Sequence, residues 1–184
     1  MKLWKFDKFL KDEEAIHIEK EICTNDFPWY YQDKSCKSDA DFSKNNIIDS
    51  PLLFHLLFNE GKKSHYFDLV EPIINVINST HAPVKNLKRI KANLTVPNLA
   101  TTRMTNLDSH GPIHVDSSKE NYYSLIYYVN DSDGYTYFYE GDQIIYRRSP
   151  KINKAILFPS NTKHAGNTPF KTEKRIVLNF VYEV

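Results

Sequence analysis

Gly111-Pro112-Ile113-His114-Val115-Asp116 and, far downstream, Phe158-Pro159-Ser160-Asn161-Thr162-Lys163-His164-Ala165-Gly166 with Lys174-Arg175-Ile176-Val177-Leu178-Asn179-Phe180 are the segments whose reading decides the fold. His114 and Asp116 are two positions apart. Along a strand, residues i and i+2 point to one face and the residue between them to the other. His114 and Asp116 can therefore face inward together while Val115 faces out. His164 joins them only if the intervening strands bring the sheet round on itself. In a small barrel, inward side chains from separate strands do meet. The segment after Lys174 alternates too: Arg175, Val177, Asn179 and Val181 share one face, and Ile176, Leu178, Phe180 and Tyr182 the other. An inward arginine is costly without an anion, and its planar fork suits a carboxylate.

Outward from these segments the period of two persists. Lys88, Ile90, Ala92 and Leu94 alternate with Leu87, Arg89, Lys91 and Asn93, which reads as the first strand of the core. Further strands are expected at 122–129, 135–139, 143–146, 155–158 and 175–181. They are short, rich in Tyr, Ile, Val and Phe, and separated by turn residues such as Asn130-Asp131-Ser132-Asp133-Gly134 and Glu140-Gly141-Asp142. That density of strands points to a jelly roll or barrel.

Two histidines and one carboxylate that leave coordination positions open form the ligand set of non-haem Fe(II) oxygenases. The same three groups also serve catalytic zinc. In order and spacing, His114-Val115-Asp116, His164 and Arg175 resemble the HxD…H…R signature of 2-oxoglutarate/Fe(II)-dependent dioxygenases. The similarity is nearest to the prolyl-hydroxylase-like branch and its small phage-encoded relatives. Ser124-Leu125-Ile126-Tyr127-Tyr128-Val129-Asn130, Gly134-Tyr135-Thr136-Tyr137-Phe138 and Phe158-Pro159 extend the match, which spans roughly residues 87–184. One departure is Gly134-Tyr135-Thr136, where the family often has a Gly-Gly pair. The resemblance implies a mainly β fold with flanking helices: a double-stranded β-helix of the jelly-roll or cupin-like kind, closed as a barrel. It implies His114, Asp116 and His164 as metal ligands and catalytic residues for Fe(II). It implies Arg175 and Tyr128 as the residues that hold 2-oxoglutarate, the cosubstrate, with O2 as oxidant. The implied reaction hydroxylates an unidentified small molecule or peptide, a peptidyl proline among the candidates, and releases succinate and CO2.

The remaining chain reads as one domain, 1–184, with a supporting segment at 1–85 and the β core at 86–184. Leu3-Trp4-Lys5-Phe6 is strand-like. The polar residues that follow, through Glu21, stay partly unassigned, with Ile16, Ile18 and Ile22 alternating weakly. Phe27-Pro28-Trp29-Tyr30-Tyr31 either anchors the barrel wall or lines the substrate opening; it is also similar to an upstream segment of the phage-type relatives. Residues 32–50 read as a surface loop. Pro51-Leu52-Leu53-Phe54-His55-Leu56-Leu57-Phe58 suits a buried strand or a helical turn, with His55 packed rather than ligating. A helix is expected near 68–79, with Asp68 as N-cap, Pro72 in the first turn and Val70, Ile73, Ile74 and Ile77 on one face. The Thr/Asn-rich segment 95–111, holding Arg103 and His110, reads either as a lid over the site or as a plain surface excursion.

With 24 basic and 23 acidic residues, the net charge of +1 offers no electrostatic case for nucleic acid or an anionic membrane as partner. No apolar run spans a bilayer and no signal-peptide core is visible, so a cytoplasmic protein is expected. Oligomeric state is left open. Cys23 and Cys36 are the only cysteines and are expected as free thiols. With 5 glycines there is no phosphate-binding glycine loop. Two other readings stand beside the dioxygenase. One is a zinc-dependent hydrolase using the same two histidines and aspartate. The other is a jelly-roll binding module in which the histidines are core groups, Asp116 caps the turn at Ser117-Ser118 and Arg175 is a surface charge.

Overall fold

The computed structural model describes residues 2–34, 49–97 and 110–184. Its strands in chain order are β1 (Trp4–Phe6), β2 (Tyr30–Gln32), β3 (Leu52–Asn59), β4 (Lys62–Lys63), β5 (Asn86–Thr95), β6 (Tyr122–Tyr128), β7 (Thr136–Glu140), β8 (Gln143–Arg148), β9 (Ala155–Pro159), β10 (His164–Gly166) and β11 (Arg175–Glu183). Its helices are α1 (Asp12–Ile22) and α2 (Glu71–Asn78), the latter preceded by a 3-10 turn at Phe67–Val70. An eight-stranded sheet runs β1-β9-β6-β11-β5-β3-β2, with β4 on β3; a three-stranded sheet runs β10-β7-β8.

The alternation along β11 decides how these layers stack. Ile176, Leu178, Phe180 and Tyr182 join Ile90, Leu125, Leu157 and the helices in one large apolar core on one face of the large sheet. On the opposite face Val177, Ile126, Tyr128, Ile156 and Phe158 pack with Phe138 of the small sheet. The large sheet thus has helices behind it and the small sheet in front, as in a two-layer sandwich. The two facing sheets are those of the expected double-stranded β-helix. Among the described residues no continuous ladder joins the two sheets. They are held together by side-chain packing, with an isolated antiparallel bridge between His114 and His164 near one edge.

The upstream elements differ in detail from expectation. Helix α1 fills the unassigned stretch: Ala15, Ile18 and Ile22 are buried at spacings of three and four. Glu14 closes its N-terminus by accepting the Lys11 N–H at 3.1 Å, and acids at 12–14 oppose the helix dipole. The second helix begins at Glu71, so Asp68 lies in the 3-10 turn and is not its N-cap. Pro72 does sit in the first turn, where its missing N–H costs nothing. The ambiguous apolar run is strand β3, fixed by antiparallel pairing with both β5 and β2. Within it His55 is packed: its Nδ1 lies 2.8 Å from the Pro28 carbonyl, and its ring sits among Phe27, Tyr30 and Tyr66. Phe27 is a buried anchor, whereas Tyr30 and Tyr31 are exposed on β2. Cys23 is a free thiol, and Cys36 lies outside the described residues. Among the described residues no helix is long and apolar enough to cross a membrane.

Candidate functional site

Between the two sheets lies a cavity of 230 Å³. Strand register arranges its floor. On the inner face Ser124, Ile126 and Tyr128 of β6 stand beside Val181, Asn179 and Val177 of β11. Those in turn stand beside Arg89, Lys91 and Asn93 of β5, with Arg175 next to Thr95 at the far end. The segment leading to Asp116 crosses above this floor.

His114, Asp116 and His164 converge there, with one ligand atom from each within 4.8 Å of the others. The two histidines exchange backbone hydrogen bonds, each 2.9 Å, so their side chains are paired across the bridge. Asp116 is not in a regular strand, as the sequence spacing suggested. It occupies a bend, where the Asp116 and Ser117 N–H groups both donate to the Ser160 carbonyl at 3.0 and 3.2 Å. The bend still delivers its carboxylate to the histidines.

Both imidazoles are oriented alike. His114 Nδ1 faces the Pro112 carbonyl and His164 Nδ1 the Thr162 carbonyl, each at 3.0 Å. A carbonyl accepts only from N–H, so each Nδ1 carries a proton, and in the neutral ring Nε2 keeps the lone pair. Burial pushes the His164 imidazole down to about 4, with His114 adding to the effect, so the ring stays neutral at pH 7. Asp116 is the reverse case. Burial alone would raise its carboxyl, but His164, His114, Arg89 and Ser124 together hold it below the usual carboxylate range. The donors are specific: Ser124 Oγ at 2.7 Å, Arg89 Nη2 at 3.1 Å, and Asn179 Nδ2 at 3.2 Å from both oxygens. Phe158 and Phe138 pack their rings on His164 at 5.0 and 6.1 Å.

Arg175 lines the same cavity and is 6 % exposed. Its Nε donates to the Gly134 carbonyl at 2.7 Å and its Nη2 to Thr136 Oγ1 at 2.8 Å. Among the described residues no carboxylate pairs with it, and burial pulls its high pKa down. Two glycines make room. A Cβ on Gly134 would come within 2.8 Å of Arg175 Cδ, and one on Gly166 within 3.4 Å of Nη2. Thr136 Oγ1 also accepts from the Tyr128 hydroxyl at 2.9 Å. With two donors on its oxygen, the Thr136 hydroxyl has its own proton left to donate. Tyr128 is fully buried, and the cavity wall in front of it is Thr136.

No family model and no curated protein sequence matches the chain. Solved structures do. A prolyl hydroxylase from Trichoplax adhaerens, in complex with a hypoxia-inducible-factor oxygen-degradation-domain peptide, aligns with a TM-score of 0.64 at 11% identity, over 98% of this chain and 83% of that one. A Pseudomonas putida prolyl-4-hydroxylase aligns with a TM-score of 0.58 at 12% identity, over 99% and 92%. The epimerase SnoN from nogalamycin biosynthesis, in complex with Fe3+, α-ketoglutarate and nogalamycin RO, gives 0.61 at 9% identity, over 98% and 78%. The fold is that of the 2-oxoglutarate/Fe(II) oxygenases.

On this oxygenase fold the structure brings together four of the residues singled out from sequence, His114, Asp116, His164 and Arg175, around one cavity. Tyr128 stands one residue behind it. His110 is at the cavity edge, its ring against Tyr137 and Tyr139. The expected lid over 95–111 falls largely on residues 98–109, outside the described residues, and Arg103 with it. Sequence reasoning passed over the roles of Ser124, Thr136, Asn179 and Arg89 at this site. For Ser124, Thr136 and Asn179 the signal was a polar side chain at an inward position of an otherwise apolar strand.

Proposed function

We propose that this protein is an Fe(II)- and 2-oxoglutarate-dependent dioxygenase that hydroxylates a C–H bond. The observation that carries the reading is the meeting of two features in one cavity: a histidine–aspartate–histidine set and a buried arginine with no carboxylate partner among the described residues. The donor set fits the metal. Two imidazoles whose Nδ1 atoms face backbone carbonyls, which turns each Nε2 towards the cluster, and one carboxylate are what a hard-to-borderline divalent ion needs. His114, Asp116 and His164 would hold Fe(II). Arg175 and the remaining Thr136 proton would hold the far carboxylate of 2-oxoglutarate, and Tyr128 would support that pair through Thr136.

When bound, the metal and cosubstrate supply the oxidation, with one atom of O2 entering the substrate C–H bond and the other leaving in succinate as CO2 is released. The chain's own part is placement. Arg89, Asn179 and Ser124 fix Asp116 so that both its oxygens are oriented before a ligand arrives. Phe138 and Phe158 pack on His164 and keep water from its inner side. A catalytic zinc site would account for the three ligands but gives Arg175 nothing to bind. A non-enzymatic module would leave both features unexplained. Two of the structures sharing this fold are prolyl hydroxylases, one with a peptide bound, so a peptidyl proline is the substrate class to try first.

The test is an anaerobic titration of the protein with Fe(II) and 2-oxoglutarate. The expected result is a weak visible metal-to-ligand charge-transfer band that saturates with 2-oxoglutarate. Protein that binds Fe(II) but shows neither the band nor any 2-oxoglutarate binding would overturn the proposal.

A further inference from the structure

Arg175 is the first residue of β11, where a strand has least to hold it. On one side β5 pairs with it through Thr95. On the other, β6 pairs only as far as Tyr128 opposite Val177, and one more backbone bond follows, from the Val129 N–H to the Ile176 carbonyl at 3.1 Å. There the side chain of Asn130 takes over the ladder. Its Oδ1 accepts the Ile176 N–H at 2.8 Å and its Nδ2 donates to the Lys174 carbonyl at 3.1 Å. The peptide groups before and after Arg175 are thus both held by one amide, itself buried.

The same turn, 130–134, holds the guanidinium and the loop that leads into it. The Gly134 carbonyl accepts from Arg175 Nε at 2.7 Å, and a Cβ on Gly134 would come within 2.8 Å of both Arg175 Cδ and the Asn167 carbonyl oxygen. One residue earlier, Asp133 gathers the irregular segment before β11. Its Oδ1 accepts the Phe170 N–H at 3.0 Å, the Thr172 N–H at 3.4 Å and the Thr172 hydroxyl at 2.8 Å, and its Oδ2 accepts the Lys171 N–H at 2.8 Å. Burial alone would raise the Asp133 carboxyl, but these donors hold it below the usual carboxylate range, so it is ionised at pH 7. With the Thr172 proton given to Asp133, the Ser132 hydroxyl is the donor in its 3.0 Å bond to Thr172 Oγ1.

The two ends of the cavity are therefore fixed independently. Donors from β5, β6 and β11 fix Asp116, and the turn 130–134 with its grip on the 170–172 loop fixes Arg175. A guanidinium that meets a carboxylate as a fork is specific in its geometry, and a misplacement of about 1 Å can cost about 100-fold. Asp133 does not line the cavity, so it acts through Arg175. We infer that Asp133 is a positioning residue for the cosubstrate: by locking the turn to the loop it sets the reach of Arg175, and with it the length of 2-oxo diacid that spans from the metal centre to the guanidinium. This rests on the dioxygenase reading above.

The protein, loaded anaerobically with Fe(II), is titrated by calorimetry with 2-oxoglutarate, with oxaloacetate, which is one methylene shorter, and with 2-oxoadipate, which is one methylene longer. Wild type should prefer 2-oxoglutarate over each by about tenfold or more, the usual worth of one methylene in a fitted site. Asp133→Asn keeps the size of the side chain but replaces one acceptor oxygen with a donor. It should lose about tenfold in 2-oxoglutarate affinity, bind Fe(II) as wild type does, and narrow the preference over at least one of the other diacids by about tenfold. Thr172→Val removes only the hydroxyl bond and should move selectivity the same way by less, and Thr172→Ser should restore it. Unfolding temperatures report whether each variant folds, and Thr172→Val decides where Asp133→Asn does not. No length preference in wild type, an equal loss for all three diacids, or wild-type selectivity in the deciding variant would overturn the inference. Failure of the iron-loaded wild type to bind 2-oxoglutarate at all would instead bring down the dioxygenase reading, and this inference with it.

Discussion

Asp116 and Arg175 are both buried charges on the wall of one cavity, and the protein treats them in opposite ways. Asp116 is met by a serine hydroxyl, an asparagine amide and a guanidinium. Among the described residues Arg175 is met by a neutral carbonyl and a threonine oxygen. A buried charge that is fully met by donors is a finished part of the fold, with its geometry set in advance. One met only by neutral acceptors has electrostatic attraction to spare for an incoming anion. The comparison therefore divides the cavity into an end built to present a carboxylate and an end built to receive one.

The sharpest way to break that division is to remove ligands from the finished end. His114→Ala, Asp116→Ala and His164→Ala should each lower Fe(II) affinity by more than about 100-fold, since even residues that only orient ligands typically cost 10–100-fold. Equilibrium dialysis against Fe(II) under anaerobic conditions reads this directly. Unchanged affinity in all three would mean that these side chains are ordinary core groups.

Arg175 should fail differently. Truncating one member of a desolvated charge pair costs about 2–5 kcal/mol, which is about thirty-fold or more in affinity. Arg175→Leu should lose that much 2-oxoglutarate affinity while Fe(II) affinity stays nearly intact. Arg175→Lys should recover part, since it keeps the charge and loses the planar fork. Wild-type 2-oxoglutarate binding by Arg175→Leu would show that the receiving end has been misplaced, with Arg89 or Lys91 next to be tested.

Much of this contrast was legible in the sequence because a strand has a period of two. Arg175, Val177, Asn179 and Val181 fall on one face by arithmetic, and the structure puts three of them on the cavity wall. The proximity of His114 and Asp116 was read correctly from a local geometry that differs, because the bend on the Ser160 carbonyl delivers the carboxylate as a strand would. Two facing sheets and a closed barrel converge inward side chains equally well, so the motif did not distinguish them. Helix α1 escaped notice because acids and lysines crowd its sequence and Ile16, which is 44% exposed, blurs the pattern. The spacing of Ala15, Ile18 and Ile22 was the readable signal. Donors to Asp116 come from β5, β6 and β11, and only inter-strand register, which no single segment encodes, reveals them.

Acid separates the two ends by titration. The His164 imidazole is held down to about 4 against an ordinary 6.5. Between those values the unfolded chain binds a proton that the folded chain refuses. Stability of the metal-free protein should thus be fully present above pH 6.5 and decline as pH falls towards 4, by about 3 kcal/mol in total. Arg175 does not titrate in this window. Urea unfolding at pH 7 and 4.5 should show the decline in wild type and in Arg175→Leu but a much smaller one in His164→Leu. Parallel declines in all three would place the acid sensitivity elsewhere.

The smallest expected effect tests how the receiving end is supported. The Tyr128 hydroxyl, pushed up to about 12 by burial against the pull of Arg175 and Thr136, stays protonated and donates to Thr136. Thr136 also accepts from Arg175, so the two donors together fix where its own proton goes. Tyr128→Phe keeps the ring and its packing and deletes one donor from this relay. One neutral hydrogen bond is worth about 1 kcal/mol net, so stability should fall by about that much and 2-oxoglutarate affinity by about fivefold. Direct contact between Tyr128 and the cosubstrate would make the affinity loss approach that of Arg175→Leu. The ratio of the two losses, measured in the same anaerobic titration, therefore says whether Tyr128 touches the cosubstrate or acts through Thr136. If it acts through Thr136, Thr136→Val should lose at least as much affinity as Tyr128→Phe, and the double variant little more than Thr136→Val alone, because both residues serve one hydroxyl proton.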